Sequence, residues 1–219
     1  MKARRIILIN VIMFIVLAVL VVAGYYFYDQ SVKYLSTDNA QVTGQEFVIA
    51  APAAGKLTDW KASVGETFSS GQAVGTLTIP PAAGQKTPVS MDITSPADGT
   101  VVQTSAVTDE FVAPGTPLAY AFDMKHLWVS ANIKETDVND VKLGQTVDVY
   151  VDAYPGTSLQ GTVNEIGLTT ASTFSLLPQS NDSGNFTKVT QVIPVKITLN
   201  GYQGMSLVPG MSVTVRIHK

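Results

Sequence analysis

Two stretches of this chain can be laid over one another without a gap. IAAPAAGKLTDWKASVGETFSSGQAVGTL, from Ile49, and ITSPADGTVVQTSAVTDEFVAPGTPLAYA, from Ile93, agree at Ile49/Ile93, Pro52/Pro96, Ala53/Ala97, Gly55/Gly99, Ala62/Ala106, Glu66/Glu110 and Gly71/Gly115. The constant offset marks an internal duplication. Two copies are too few for a solenoid, which needs about three or more stacked units to bury a continuous core. They suit a small sandwich of two half-motifs.

In each copy a Pro is followed three residues later by Gly, and a second Gly lies sixteen residues further on. Gly admits positive φ and Pro fixes φ, so each copy reads as short β runs separated by tight turns. Over about seventy residues the pattern resembles the biotinyl/lipoyl half-motif. Carriers of that fold present one lysine for modification on the hairpin between the halves. Here the connection is IPPAAGQKTPVSM, stiffened by Pro80, Pro81 and Pro88, and its only lysine, Lys86, lies between Gln85 and Thr87. A lipoylated turn has acidic and small neighbours instead. Met124-Lys125 matches half of a biotinyl M-K-M but lies beyond the second copy. Lys86 therefore reads as a solvated loop lysine, and no cofactor is expected.

From Ile6 to Tyr28 the chain reads IILINVIMFIVLAVLVVAGYYFY, without a charge and with Asn10 as its only strongly polar side chain. About 20 apolar residues span a bilayer, so residues 6–28 are expected to form a transmembrane helix in the lipid of the cell (inner) membrane. Lys2, Arg4 and Arg5 precede this run and Asp29 follows it, which places residues 1–5 in the cytoplasm and the bulk of the chain outside. Tyr25, Tyr26, Phe27 and Tyr28 would form the outer aromatic belt. The competing reading is a cleaved signal peptide, with small residues at Val21-Val22-Ala23. The run exceeds the roughly 7–15 residues of a signal h-region and aromatics crowd the cut site, so a retained anchor is favoured. The absence of Cys excludes a lipobox, disulfides and thiolate metal sites. A net charge of −3 gives no reason to expect nucleic acid.

Residues 29–44 read as a linker followed by a first strand around Ala40 to Thr43. Residues 45–122 form the lipoyl-like domain, with half-motifs 49–77 and 93–121. Over residues 123–219 the pattern becomes two-residue alternation. Leu127, Val129, Ala131 and Ile133 face one way, as do Val147, Val149 and Val151, Ile193, Val195, Ile197 and Leu199, and Met211, Val213, Val215 and Ile217. Half-buried strands separated by turns such as Tyr154-Pro155-Gly156 and Pro209-Gly210 indicate a small antiparallel β-barrel. Pro194 cannot donate to a ladder, so its strand is expected at an edge or bulged. A short helical turn is expected within Lys134 to Gly144. The segment from Gly167 to Gly184 is long for a loop and carries Phe174, Leu176, Leu177 and Pro178; such a cluster either pins the loop to the barrel or meets a partner.

No enzyme constellation is present. His126 and His218 lack a third ligand at metal spacing, so no metal site is expected. Asp137 and Asp140 read as solvated turn residues, and GQKTP at Gly84 lacks the spacing and context of a phosphate loop.

STDNAQVTG at Ser36, the two half-motifs, HLWVSANIKETDVNDVKLGQTVDVYVDAYPG and FSLLPQSNDSGNFTKVTQVIPVKI together resemble the HlyD family of periplasmic adaptor, or membrane fusion, proteins, and within it the EmrA-type adaptors of major facilitator drug exporters. The resemblance implies a mainly β protein: an N-terminal transmembrane helix, a lipoyl/biotinyl-like β sandwich and a β-barrel that together assist a transporter. Family members that reach an outer-membrane channel insert a long α-helical hairpin between the lipoyl halves. Here about a dozen residues with three prolines separate them, and no coiled coil can form. The expectation is a short, membrane-anchored efflux adaptor, with a major facilitator partner favoured and an ABC exporter open, and a homo-oligomer compatible with the sequence. Its candidate partner contacts are Pro81, Lys86 and Pro88 on one loop and Phe174, Leu176 and Leu177 on another. The alternative is a membrane-tethered envelope binding or sensing module without a pump.

Overall fold

The computed structural model describes residues 2–81, 87–174 and 190–219, with side chains described for all of these except residues 2–9, 11, 27–31 and 174. The chain divides into two units. One comprises Met1–Ala40, Ser130–Gln203 and Ser212–Lys219, the other Gln41–Val129 and Gly204–Met211.

Helix α1 spans Lys2–Lys33, 32 residues, and is therefore about 48 Å long at 1.5 Å per residue. Its described apolar side chains are not tucked into a core: Ile12, Phe14, Leu17, Leu20 and Tyr25 are 52–74% exposed. Among the described residues no helix is long and apolar enough to cross a membrane. Strand β1, Tyr34–Thr43, follows α1 directly. The stretch of mixed polarity before Ala40 is thus helix and strand. Tertiary pairing explains the early start, because the Ser36 hydroxyl donates to the Val215 carbonyl (3.3 Å) and the Thr37 hydroxyl to the Asn132 carbonyl (3.2 Å).

The duplicated region forms eight strands: β2 (Glu46–Ala50), β3 (Gly55–Trp60), β4 (Thr67–Phe68), β5 (Ala73–Ile79), β6 (Val89–Thr94), β7 (Gly99–Thr104), β8 (Phe111–Val112) and β9 (Pro117–Phe122). They make two four-stranded sheets, ordered β2-β9-β7-β4 and β6-β5-β3-β8. Exchanging each strand for its repeat equivalent turns one order into the other. Each sheet takes two strands from each half, so the halves interlock. The hydrogen bonds repeat as well: Leu57 N–H donates to the Glu110 carbonyl and Val101 N–H to the Glu66 carbonyl, both at 2.9 Å, while Gly71 N–H to Ser95 and Gly115 N–H to Ala51 are both 2.8 Å. Between the sheets lie Ile49, Leu57, Phe68, Val74, Leu77, Ile93, Val101 and Leu118, all at most 4% exposed. A fully buried Leu or Ile of this kind contributes about 2 kcal/mol.

The structure also separates the roles of the repeated glycines. Gly71 and Gly115 do take positive φ, 76° and 79°. Gly55 and Gly99 do not; they allow close approach. A Cβ on Gly99 would lie 2.6 Å from the Phe47 ring and 2.7 Å from the Phe122 carbonyl, and one on Gly55 would lie 2.9 Å from the Thr78 carbonyl.

The barrel adds β10 (Trp128–Lys134), β11 (Thr146–Val151), β12 (Ser158–Ile166), β13 (Val192–Leu199) and β14 (Ser212–His218). With β1 they close in the order β1-β10-β13-β12-β11-β14. The alternation holds: Val129, Ala131, Ile133, Val147, Val149, Val195, Ile197, Val213, Val215 and Ile217 are buried. A short 3-10 helix at Val138–Asp140 fills the expected helical turn. The expectation for Pro194 needs correction. Its strand β13 is flanked by β10 and β12, so it is not an edge, and the β12–β13 register shift falls at Val163/Glu165 instead. Proline is tolerated because β12 ends at Ile166, just where a Pro194 donor would have been needed; the Pro194 carbonyl still accepts from Gly167 N–H at 2.8 Å.

Candidate interaction surfaces

The first surface is the tip of the β5–β6 hairpin. Its strands pair from Ala73↔Thr94 to Ile79↔Val89, and Pro81 and Pro88 follow as exposed residues beyond the closing pair. Lys86 lies outside the described residues. Of the second predicted cluster, Phe174 ends a 3-10 helix at Ala171–Phe174, whereas its side chain, Leu176 and Leu177 lie outside the description.

On the barrel wall, three strands build a stack that the sequence did not single out. Arg216 on β14 lies over the rings of Tyr34 on β1 (5.5 Å) and Tyr150 on β11 (5.7 Å). His218 meets the Tyr34 ring edge-on at 4.9 Å and its Nε2 lies 2.9 Å from the Asp148 carboxylate. These residues occupy the outward positions of the same alternation that buries Val147, Val149, Val215 and Ile217. The aromatic faces and the cation attract through the ring quadrupole, so the stack fastens three neighbouring strands.

His126 likewise finds an acidic partner. Its Nδ1 lies 2.6 Å from Asp123 Oδ2, and the other oxygen of Asp123 accepts from Lys125 N–H at 2.9 Å. Burial pushes the Asp123 pKa up, but the hydrogen bonds from His126 and Lys125 outweigh it and hold the carboxyl below its ordinary 3.8. Among the described residues no group of His, Cys, Asp or Glu is placed to hold a metal ion.

A cleft of about 540 Å³ opens in the unit formed by Gln41–Val129 and Gly204–Met211. Val42 and Val101 supply its buried floor, Phe122 and Met124 one side, and the exposed Val64 and Val208 its rim. Among the described residues no ionisable side chain lines it; Gln41, Thr43 and Thr100 are its polar members. The lining comes from segments far apart in sequence, which is why no local motif announced it.

Comparison with known proteins follows the two architectures. Residues 47–123 match the YhbJ barrel-sandwich hybrid domain, and residues 127–217 the YknX-like beta-barrel domain. YhbJ of Bacillus subtilis (strain 168), named as an efflux system component, is 43% identical over 99% of this chain and 94% of its own length. EmrK of Escherichia coli (strain K12), named as a multidrug resistance protein, is 38% identical over 58% of this chain, a match that spans 33% of EmrK. Among solved structures, that of the periplasmic adaptor protein EmrA superposes with a TM-score of 0.55 at 12% identity, covering 85% of this chain and 99% of that one, a likeness of fold. Two interlocked lipoyl-like halves, a closed six-stranded barrel and end-to-end similarity to YhbJ place this chain in the membrane fusion, or periplasmic adaptor, protein family of HlyD/EmrA type, as a short form without the α-helical hairpin.

Proposed function

We propose that this protein is the membrane-anchored, extracytoplasmic adaptor subunit of an efflux pump and assists a major facilitator exporter. The observation that carries the reading is the near-full-length identity to an efflux system component, 43% over 99% of the chain. Adaptors of this family are structural, not enzymatic, components, so the energy for transport comes from the partner.

The anchor is read from the uncharged run Ile6 to Tyr28. The longest unbroken part of α1 with described side chains, residues 12–26, is shorter than a span requires, and the run continues apolar on both sides of it. Its exposed Phe14, Leu17 and Leu20 fit a lipid surrounding. The positive residues before the run favour an outward-facing sandwich and barrel. The EmrA-type resemblance favours a major facilitator partner over an ABC exporter. Contacts to that partner are proposed at the anchor, at Pro81, Lys86 and Pro88, and at Phe174, Leu176 and Leu177.

Affinity purification of the tagged full chain from its native membranes, followed by mass spectrometry, tests this. The expected result is co-purification of a polytopic transporter without a nucleotide-binding subunit, and increased drug susceptibility on deletion. Recovery of no transporter together with unchanged susceptibility would sink the reading.

A further inference from the structure

We infer that the cleft floored by Val42 and Val101 is a binding site for a neutral, apolar small molecule. Its volume, about 540 Å³, falls inside the roughly 300–1,000 Å³ range of ligand pockets. The lining selects the chemistry. With no ionisable side chain among its described lining residues, a charged ligand would lose its hydration without gaining a counter-charge.

The backbone argues against an extended peptide as occupant. Along the walls, Gly65 N–H donates to the Val101 carbonyl (2.8 Å), Val101 N–H to the Glu66 carbonyl (2.9 Å), Val42 N–H to the Met211 carbonyl and Gly210 N–H to the Val42 carbonyl (both 2.8 Å). These donors are already engaged, so a strand laid in the cleft would find them unavailable for pairing. A compact ligand that needs little hydrogen bonding has no such requirement. The Thr100 hydroxyl, itself 3.1 Å from that of Thr67, and Gln41 supply the few polar groups that would orient it. Val64 and Val208, 63% and 44% exposed, gain a covering when the site is filled.

The test uses the full chain in phosphatidylcholine nanodiscs and a neutral phenyl trifluoromethyl diazirine, which on photolysis inserts into nearby C–H bonds. Peptide mass spectrometry should place label on residues 64–65, 100–102, 122–124 and 208–210, as well as on α1. The rim substitutions Val64→Asp and Val208→Asp, both at exposed positions, should reduce labelling of the cleft by about tenfold by placing a carboxylate at its mouth. Labelling of α1 serves as the internal reference and reports on the anchor separately from the cleft. Label confined to α1, cleft labelling indifferent to both rim variants, or protection of the same residues that grows with protein concentration, as in a self-associated dimer, would each overturn the assignment.

Discussion

Trp60 and Thr104 occupy the same place in the two halves of the repeat, 44 residues apart, and are hydrogen-bonded to each other: the indole Nε1 donates to the Thr104 hydroxyl at 3.0 Å. Equivalent residues can meet only beside the pseudo-two-fold axis, so this pair marks it. The Trp60 ring also packs on the sandwich core, which makes bond and ring separable. Thr104→Val should cost about 0.5–1 kcal/mol in urea unfolding, since the partly exposed N–H can turn to water. Trp60→Ala should cost about 2–3 kcal/mol through lost packing. Equal losses in the two variants would contradict this division.

At one position the repeat keeps a left-handed backbone but changes the residue. Gly65 has φ of 90°, and its repeat equivalent Asp109 has φ of 73°. Alanine should therefore cost about 1 kcal/mol at either site, whereas Asp109→Gly should stay within about 0.5 kcal/mol of the parent, its exposed pair with Lys56 being worth little. Thermal melts of the three variants check the order.

Gly99→Ala should be more damaging than either. The added methyl meets the Phe122 carbonyl as well as the Phe47 ring, and backbone cannot rotate aside. A loss of about 1–3 kcal/mol is expected, and Phe47→Ala in the same chain should not restore it fully. Full restoration would show that only the ring obstructs.

Asp123 gives a pH dependence of known sign. Its folded pKa lies below its unfolded value of 3.8, so its contribution is present above that pH and disappears as pH falls through the folded pKa. Denaturation profiles of the parent and Asp123→Asn should therefore differ above about pH 4 and converge in stronger acid, with a gap of less than about 1 kcal/mol. A gap that widens on acidification would contradict the sign.

The Ile79↔Val89 pair closes the β5–β6 hairpin, and the flanking Pro81 is exposed. Ten Gly/Ser residues inserted after Pro81 should cost less than about 1 kcal/mol, because closure entropy rises only logarithmically with loop length. The same insert between Glu66 and Thr67 breaks the β4–β7 pairing and should unfold the sandwich. Circular dichroism and limited proteolysis distinguish the outcomes.

Much of this architecture was legible because its signals are local or exactly repeated. The barrel strands announced themselves through Val147, Val149 and Val151 or Val213, Val215 and Ile217, where burial follows a period of two. The duplication pointed to the sandwich, although the glycine letters alone could not distinguish Gly71, chosen for φ, from Gly99, chosen for space. Features made by residues distant in sequence stayed hidden. Nothing local links Val64 to Val208 across the cleft, or Tyr34 to Arg216 on the barrel wall. The early start of β1 was missed for the same reason: its Ser36 and Thr37 hydroxyls bond to Val215 and Asn132.

The strand order of the barrel carries a kinetic implication. β1 and β10 are neighbours in that ring, yet the entire sandwich lies between them in the chain. Closing the ring from an unfolded chain means joining ends about eighty residues apart, whereas a sandwich that has already folded replaces that floppy excursion by a short tether. During synthesis the sandwich strands also emerge before β10–β14. Maturation of the barrel should therefore wait on the sandwich, and a lesion in the repeat should delay ring closure even when every barrel residue is intact.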